Sequence, residues 1–165
     1  MSEPLSSRTL VIERVFNAPR QLVWDAWTKP EHMVRWWGPR AFSCPTAKID
    51  FRVGGKYLMS MSGPMPDGST AEIWSTGTYK EIHPISKIVC TDSFADAEGN
   101  IVPSEHYGMA GFPHQVNVIV EFADMGNKTK MTLHHEDMPE YMGDDATTGW
   151  NESFDKLAEL LETLR

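Results

Sequence analysis

The adjacent histidines at positions 134 and 135, followed by Glu136, are the residues of this sequence best suited to chemistry. Imidazole and carboxylate groups ligate zinc and transfer protons near neutral pH. Neighbouring side chains on a strand point to opposite faces, so His134 and His135 cannot easily serve one metal ion. His135 follows Met131 and Leu133 at strand spacing, which predicts that its imidazole faces the same side as these apolar residues.

A loop and the strand after it supply groups that could act together with His135. His114 lies at strand spacing from a run of alternating valines and is expected on the same side of a sheet. With Glu105 or His106 from the loop, the two histidines could ligate zinc or act as acid and base. Two other interpretations stay open: His135 as a polar anchor in an apolar cavity wall, and His135 as a structural residue. We assign no catalytic residue, no metal ligand and no cofactor, and we favour a binding protein over an enzyme.

The patterns of common nucleotide-binding and hydrolytic sites are missing from the sequence. Gly54-Gly55 is typical of a hairpin turn and belongs to neither a P-loop nor a dinucleotide-binding motif. Ser75 has no glycine before it, so the nucleophile elbow of serine hydrolases is excluded.

The last stretch, Thr147 to Arg165, predicts the long amphipathic helix around which the other elements are arranged. Its apolar residues recur every three or four positions and form one stripe: Trp150, Phe154, Leu157, Leu161 and Leu164. Thr147 and Thr148 are candidate N-caps, and Asp144 and Asp145 before them suit the positive end of the helix dipole. The preceding chain has to cover the stripe, which predicts a sheet packed on this helix.

Most of the preceding sequence predicts strands joined by short turns. The first strand is Arg8 to Phe16, and two short helices follow, Arg20 to Thr28 and Glu31 to Trp37, each preceded by a proline. Alternating apolar and polar residues then predict six more strands. The first of these six carries four apolar residues on one face: Ala47, Ile49, Phe51 and Val53. Short connections between consecutive strands imply an antiparallel meander.

The segment Asp96 to Pro113 interrupts this meander. It has 18 residues without clear periodicity, which is longer than most connections, and such loops are often functional lids. Tyr107, Met109 and Phe112 are apolar groups within it that have to pack on something. A lid over a cavity and a passive loop packed on its own side chains both remain open.

The composition indicates a single domain over residues 1–165. Hydrophobic residues make up 41% of the chain, and the net charge of −8 disfavours a nucleic-acid partner. Cys44 and Cys90 match no metal or redox spacing, so free thiols in a reducing compartment are expected. The first thirty residues lack the apolar core of a signal peptide, and no run approaches the ~18 apolar residues of a membrane span. We therefore expect a cytoplasmic protein.

Several segments between about Leu10 and Leu164 form a pattern that resembles a known family. They are FNAPRQLVWDAWTKPEHMVRWWGP, DFRVGGKY, GTYKEI and TKMTLHHEDMP, followed by GW and the terminal helix. The pattern resembles the START-like (SRPBCC, helix-grip) superfamily, and within it the Aha-type branch named for the C-terminal domain of the heat-shock chaperone ATPase activator. The turn Trp36-Trp37-Gly38-Pro39 is its most specific piece. The resemblance implies an α+β helix-grip fold: a curved antiparallel sheet of about seven strands around a long C-terminal helix, with two short helices after the first strand.

The same resemblance covers lipid carriers, hormone receptors, cyclase-like enzymes and chaperone regulators, so it does not by itself fix the function. We expect a protein that binds a small hydrophobic or aromatic molecule in a cavity between the sheet and the terminal helix. The alternatives are a chaperone ATPase-activator-like co-factor of the stress response, and a cyclase-, dehydratase- or hydrolase-type enzyme that uses a pocket histidine. The separate N-terminal domain of the full activator is not expected here, and a homodimer remains open.

The expected pocket draws on the sheet, the long loop and the terminal helix. Its candidate residues are Met59, Met61, Trp74, Tyr107, Met109, Phe112, Val118, Met131, His135, Trp150 and Phe154.

Overall fold

The computed structural model describes residues 7–164 and contains one antiparallel sheet. Its strands are β1 (Ser7–Phe16), β2 (Ala47–Ile49), β3 (Lys56–Pro64), β4 (Thr70–His83), β5 (Lys87–Ala95), β6 (Val116–Met125) and β7 (Lys128–Pro139). Their order across the sheet is β1-β7-β6-β5-β4-β3-β2, so β2 to β7 form a meander and β1 closes on β7. The sheet is curved and open, as the helix-grip prediction requires.

Three helices pack against this sheet. Helices α1 (Arg20–Thr28) and α2 (Pro30–Trp36) follow β1, and α3 (Gly143–Leu164) ends the described chain. Pro30 is the first residue of α2, where its missing N–H costs no hydrogen bond. The prediction of two short helices after the first strand and one long C-terminal helix is therefore confirmed.

Helix α3 buries the predicted apolar stripe against the sheet. Phe154 and Leu157 are inaccessible to solvent, Leu161 is almost so, and Trp150 and Leu164 are partly buried. The helix begins four residues earlier than predicted, at Gly143, so the assignment of Thr147 as an N-cap is wrong. The Thr147 hydroxyl instead donates to the Gly143 carbonyl at 2.8 Å, which is a bond within the helix.

Strand β2 is shorter than the alternating pattern predicted. It ends at Ile49, and the Val53 side chain is 63% exposed. The Asp50 carboxylate and the Arg52 guanidinium form an ion pair at 2.9 Å across the tight turn that follows, and the Gly55 N–H donates to the Arg52 carbonyl. The local turn therefore overrides the apolar alternation.

Cys44 and Cys90 are both free thiols, as predicted. Burial raises the pKa of the Cys44 thiol to about 11, so it stays protonated at neutral pH and is a poor nucleophile. No helix within residues 7–164 is long and apolar enough to cross a membrane.

Candidate functional site

The side chain of His135 lies inside the molecule, between the sheet and α3. It stands on β7 opposite Val118 of β6 and is 8% exposed. The indole N–H of Trp150, on α3, donates to the His135 Nδ1 over 3.4 Å. The predicted inward orientation of His135 is therefore confirmed, and the helix supplies its hydrogen-bond donor.

A β-bulge lies immediately after His135. The pairing of β7 with β1 is regular up to Leu10 and His135, and then shifts by one residue before Arg8 pairs with Met138. Asp137, inside the shift, has a φ of 55°, a left-handed conformation that aspartate tolerates better than most residues. Bulges of this kind redirect side chains and are frequent beside functional sites. This one interrupts the regular ladder next to the pocket histidine.

Asp92 is the polar group at this site that the sequence interpretation missed. It lies on β5 in the same alternation as Ile88 and Cys90, both of which line a cavity. The Tyr57 hydroxyl lies 2.7 Å from the Asp92 Oδ1 and 2.9 Å from the Thr91 carbonyl oxygen. An aspartate at an inward position of an apolar strand was the signal that could have identified it.

Burial sets the ionisation of this group of side chains. It raises the pKa of the Asp92 carboxyl, and the nearby imidazole and the Tyr57 hydroxyl oppose this only in part. It lowers the pKa of His135, against the opposing effect of Asp92. Burial and the Asp92 charge together raise the pKa of Tyr57, which stays a hydrogen-bond donor. A neutral imidazole that accepts at Nδ1 carries its proton on Nε2.

Two small cavities meet at Asp92, which lines both. The outer cavity, of about 60 Å³, is lined among others by Ser75, Ser93, Phe94, Phe112, Val116 and His135. The inner cavity, of about 30 Å³, is lined among others by Trp27, Trp37, Tyr57, Met59, Tyr79 and Trp150. Since Trp150 and His135 are hydrogen-bonded to each other, they and Asp92 form the partition between the two spaces.

Seven of the eleven predicted pocket residues lie at these cavities or in the core beside them. Met59, Val118 and Trp150 line the inner cavity, and Phe112 and His135 line the outer one. Met131 and Phe154 are fully buried in the core. The Met131 sulfur accepts a hydrogen bond from the Trp27 indole at 3.2 Å, which explains why it packs there and leaves no space.

The other four predicted residues line neither cavity: Met61, Trp74, Tyr107 and Met109. Trp74 precedes Ser75, which lines the outer cavity, and successive strand side chains point to opposite faces, so its indole lies on the far side of the sheet. Met61 lies beside Gly38, where an added Cβ would come within 3.4 Å of the Met61 Cβ.

The long loop, residues 96–113, is held over the outer cavity by three sets of contacts. The Tyr107 hydroxyl donates to the Ala95 carbonyl and accepts from the Trp74 N–H at 3.2 Å, so it bridges the end of β5 and the neighbouring strand β4. The Phe112 ring packs edge-on against Phe94, with 5.4 Å between ring centroids. The Tyr141 hydroxyl, just before α3, donates to the carbonyl of Ala110. The loop therefore contacts the sheet on one side and the start of α3 on the other.

The remaining histidines and acids do not join this site. His134 faces outward and contacts Glu121 at 3.1 Å, while Glu105, His106 and His114 are exposed. His114 therefore does not share the inward face with His135 as predicted, because it precedes β6 and does not continue its alternation. Between Ser7 and Leu164, no cluster of three or more histidine, cysteine, aspartate or glutamate side chains could hold a metal ion.

The lowered pKa of His135 predicts a specific acid sensitivity. Below pH ~6.5 the unfolded chain binds a proton at His135, whereas burial disfavours protonation of this side chain in the folded protein. The free energy of unfolding therefore decreases as the pH is lowered. His135→Gln removes that proton uptake and should lose less stability than the parent protein between about pH 7.5 and about pH 5.5. Urea unfolding at both pH values measures this, with the exposed His114→Gln as the control for losing one histidine. Equal losses in the parent and in His135→Gln would show that His135 does not resist protonation.

Comparison with known proteins places the chain in a family. The model of one family, Activator of Hsp90 ATPase homolog 1-like protein (AHSA1), matches residues 17–162. The chain belongs to the AHSA1 family. The match includes both short helices, the site around His135 and nearly all of α3, and it confirms the resemblance seen in the sequence. No curated protein matches this sequence.

Solved structures support the fold of this AHSA1-family chain. Protein CV1439 from Chromobacterium violaceum is 27% identical, with a TM-score of 0.74, and the match covers 94% of this chain and 97% of that one. A protein from Arthrobacter aurescens is 26% identical, with a TM-score of 0.74 and coverage of 98% and 90%. The AHSA1 protein from Silicibacter pomeroyi is 18% identical, with a TM-score of 0.72 and coverage of 95% and 99%, and it supports the fold alone.

Proposed function

We propose that this AHSA1-family protein is a cytoplasmic binding protein for a small hydrophobic or aromatic molecule, held between the sheet and α3. The observation that carries this proposal is the meeting of two cavities at Asp92 and His135. Ligand sites are mostly apolar with a few convergent polar groups, and the walls here have that composition. A core meant only for stability gains little from a half-buried carboxyl among apolar side chains, because a carboxylate is costly to remove from water.

The size of the cavities implies that binding needs a conformational change. Spaces of about 60 Å³ and about 30 Å³ hold a few water molecules, whereas sites for organic ligands have roughly 300–1,000 Å³. Two groups are placed to make room. Phe112 belongs to the loop over the outer cavity, and the partly buried Trp150 is held to the partition by a long hydrogen bond. Displacing both would join the two spaces into one site, closed by the loop.

Two other functions each have one observation in their favour. A chaperone co-factor is favoured by the family description, Activator of Hsp90 ATPase homolog 1-like protein, and would act through the surface. An acid–base enzyme is favoured by the half-buried Asp92 carboxyl and the buried His135 imidazole at one cavity, an arrangement that can move protons. The binding proposal requires only that the cavities open.

A matched pair of tryptophan variants tests the binding proposal. The neutral dye phenylnaphthylamine fluoresces strongly in apolar surroundings, and the parent protein should bind it and melt at a higher temperature with it. Trp150→Phe should weaken binding by about fivefold, since an aromatic contact contributes about 1 kcal/mol. Trp74→Phe makes the same change on the other face of the sheet and should bind like the parent.

Native mass spectrometry of freshly purified protein adds an independent measurement, because a co-purified molecule would appear as added mass. If no small molecule co-purifies, the dye does not shift the melting temperature and both variants behave alike, the binding proposal is wrong. Stimulation of a chaperone ATPase by the same protein would then favour the surface role.

A further inference from the structure

We propose that the ligand is a neutral aromatic compound with a hydroxyl group, which donates to Asp92 and accepts from His135, and that the site rejects carboxylates. This inference rests on the proposed binding function and names its ligand class. It follows from the hydrogen-bonding capacity left over at the partition, from the charge of the walls and from the shape of the inner cavity.

The first step is the hydrogen-bonding capacity of His135. Its Nδ1 accepts the indole proton of Trp150, so the neutral imidazole carries its own proton on Nε2. His135 itself lines the outer cavity, and Trp150 lines the inner one. The Nε2 proton is therefore the donor that His135 offers to a molecule in the outer cavity.

The second step is the capacity of Asp92. The Tyr57 hydroxyl lies 2.7 Å from the Oδ1 and the Ser93 backbone N–H also donates to the carboxylate, but a carboxylate has about four acceptor sites and so keeps capacity for a molecule in either cavity. A hydroxyl group donates one hydrogen bond and accepts others, so one oxygen can serve both Asp92 and His135. An ether or a ketone has no proton for Asp92, and an ammonium has no acceptor for the His135 Nε2–H. Each of these alternatives leaves one of the two groups without a partner in the ligand, whereas a hydroxyl pairs with both.

The third step is the charge of the walls. No lysine or arginine is among the lining residues of either cavity in the part of the chain that the structure describes, and Asp92 is the one acidic residue there. Lys156, a partly buried cation on α3, donates to the carbonyl oxygens of Pro39 and Phe42 and lines neither space. A carboxylate ligand would meet the Asp92 carboxyl with no cation to offset the repulsion. Fatty acids and aromatic acids are therefore poor ligands.

The fourth step is the shape of the apolar part of the ligand. Five aromatic rings face the inner cavity: Trp27, Trp37, Tyr57, Tyr79 and Trp150. Trp37 and Trp150 meet edge-to-face, with 5.4 Å between centroids, and aromatic rings prefer such contacts with another ring. Met33 and Met59 also line this cavity, and their flexible side chains can adapt to the shape of a flat ligand. An aromatic body fits this wall better than an alkyl chain.

Three naphthalene probes test this assignment on the intact protein: naphthol, methylnaphthalene and naphthoate, each substituted at the same ring position. Calorimetric titration near neutral pH should show naphthol binding at least tenfold more tightly than either of the other two. Asp92→Asn removes the charge and keeps an acceptor for Tyr57, so the preference for naphthol over naphthoate should fall at least tenfold. Glu162→Gln changes the net charge equally on the exposed face of α3 and should keep the parent preference.

The outcomes separate this inference from the function on which it rests. Binding of all three probes with equal affinity, or tightest binding of naphthoate, overturns the hydroxyl assignment and leaves the binding function standing. Absence of binding by all three overturns both. The comparison of the three probes on the parent protein decides these cases even if Asp92→Asn does not fold.

Discussion

Replacing Leu157 with alanine is expected to lower the free energy of unfolding by about 2–5 kcal/mol. Leu157 lies midway along α3 and is inaccessible to solvent, within the core that joins this helix to the sheet and to α1. Truncation removes apolar contact and leaves a void that the surrounding strands cannot collapse to fill. The loss is large compared with the 5–15 kcal/mol of a typical domain.

Urea unfolding followed by circular dichroism measures this change. Leu164→Ala is the matched control, because it makes the same truncation at the partly buried last position of α3 and should cost far less. A loss below about 0.5 kcal/mol at Leu157 would show that the apolar stripe of α3 is not part of the core, since surface substitutions fall within that range.

Replacing Gly77 with alanine is expected to destabilise the fold by about 3 kcal/mol or more and to disturb the ligand site. A Cβ at this position would lie 1.9 Å from the backbone oxygen of Thr91 and 2.6 Å from the ring of Tyr57. The first clash is with an adjacent strand, so the sheet itself has to move. The second pushes away the ring whose hydroxyl reaches Asp92. Stability and ligand affinity should fall together.

The control for Gly77 is the same substitution at Gly149, within α3. There the new Cβ would meet only the Pro39 side chain, at an ordinary distance of 3.4 Å. Alanine is favoured over glycine in a helix, so Gly149→Ala should stabilise the protein by about 0.5–1 kcal/mol. Thermal unfolding of both variants measures the contrast. If Gly77→Ala is as stable as the parent, Tyr57 is not held against the backbone as described.

The elements that the sequence predicted correctly are those with long, regular patterns. The stripe from Phe154 to Leu161 identifies α3 because every third or fourth residue faces one sheet, and periodicity alone carries that information. The boundaries were less accurate. Gly143 begins α3 because Asp144 and Asp145 fit its first turn, and β2 ends at Ile49 because the chain turns between Arg52 and Gly55. These short-range interactions are too specific to follow from apolar alternation.

The candidate site was predicted only in part, because it depends on which strands become neighbours. His135 was found from its spacing alone. Asp92 was not, since it lies 43 residues earlier and is brought near His135 by the antiparallel order of β5, β6 and β7. Trp74 is predicted on the cavity wall because its strand and the terminal helix are expected to face each other, whereas the register of β4 turns the adjacent Ser75 toward the outer cavity. Tertiary pairing, which no single stretch of sequence encodes, decides these cases.

The bridge made by Tyr107 gives the loop an intrinsic reporter. The Trp74 amide N–H donates to the Tyr107 hydroxyl of the loop, although Trp74 belongs to β4, an interior strand of the sheet. Exchange of this proton with solvent deuterium is therefore expected to require the loop to lift away from β4. The exchange rate of this amide then reports how often the loop opens in the ligand-free protein. A molecule bound beneath the loop should slow exchange at Trp74 far more than at its neighbours in β4.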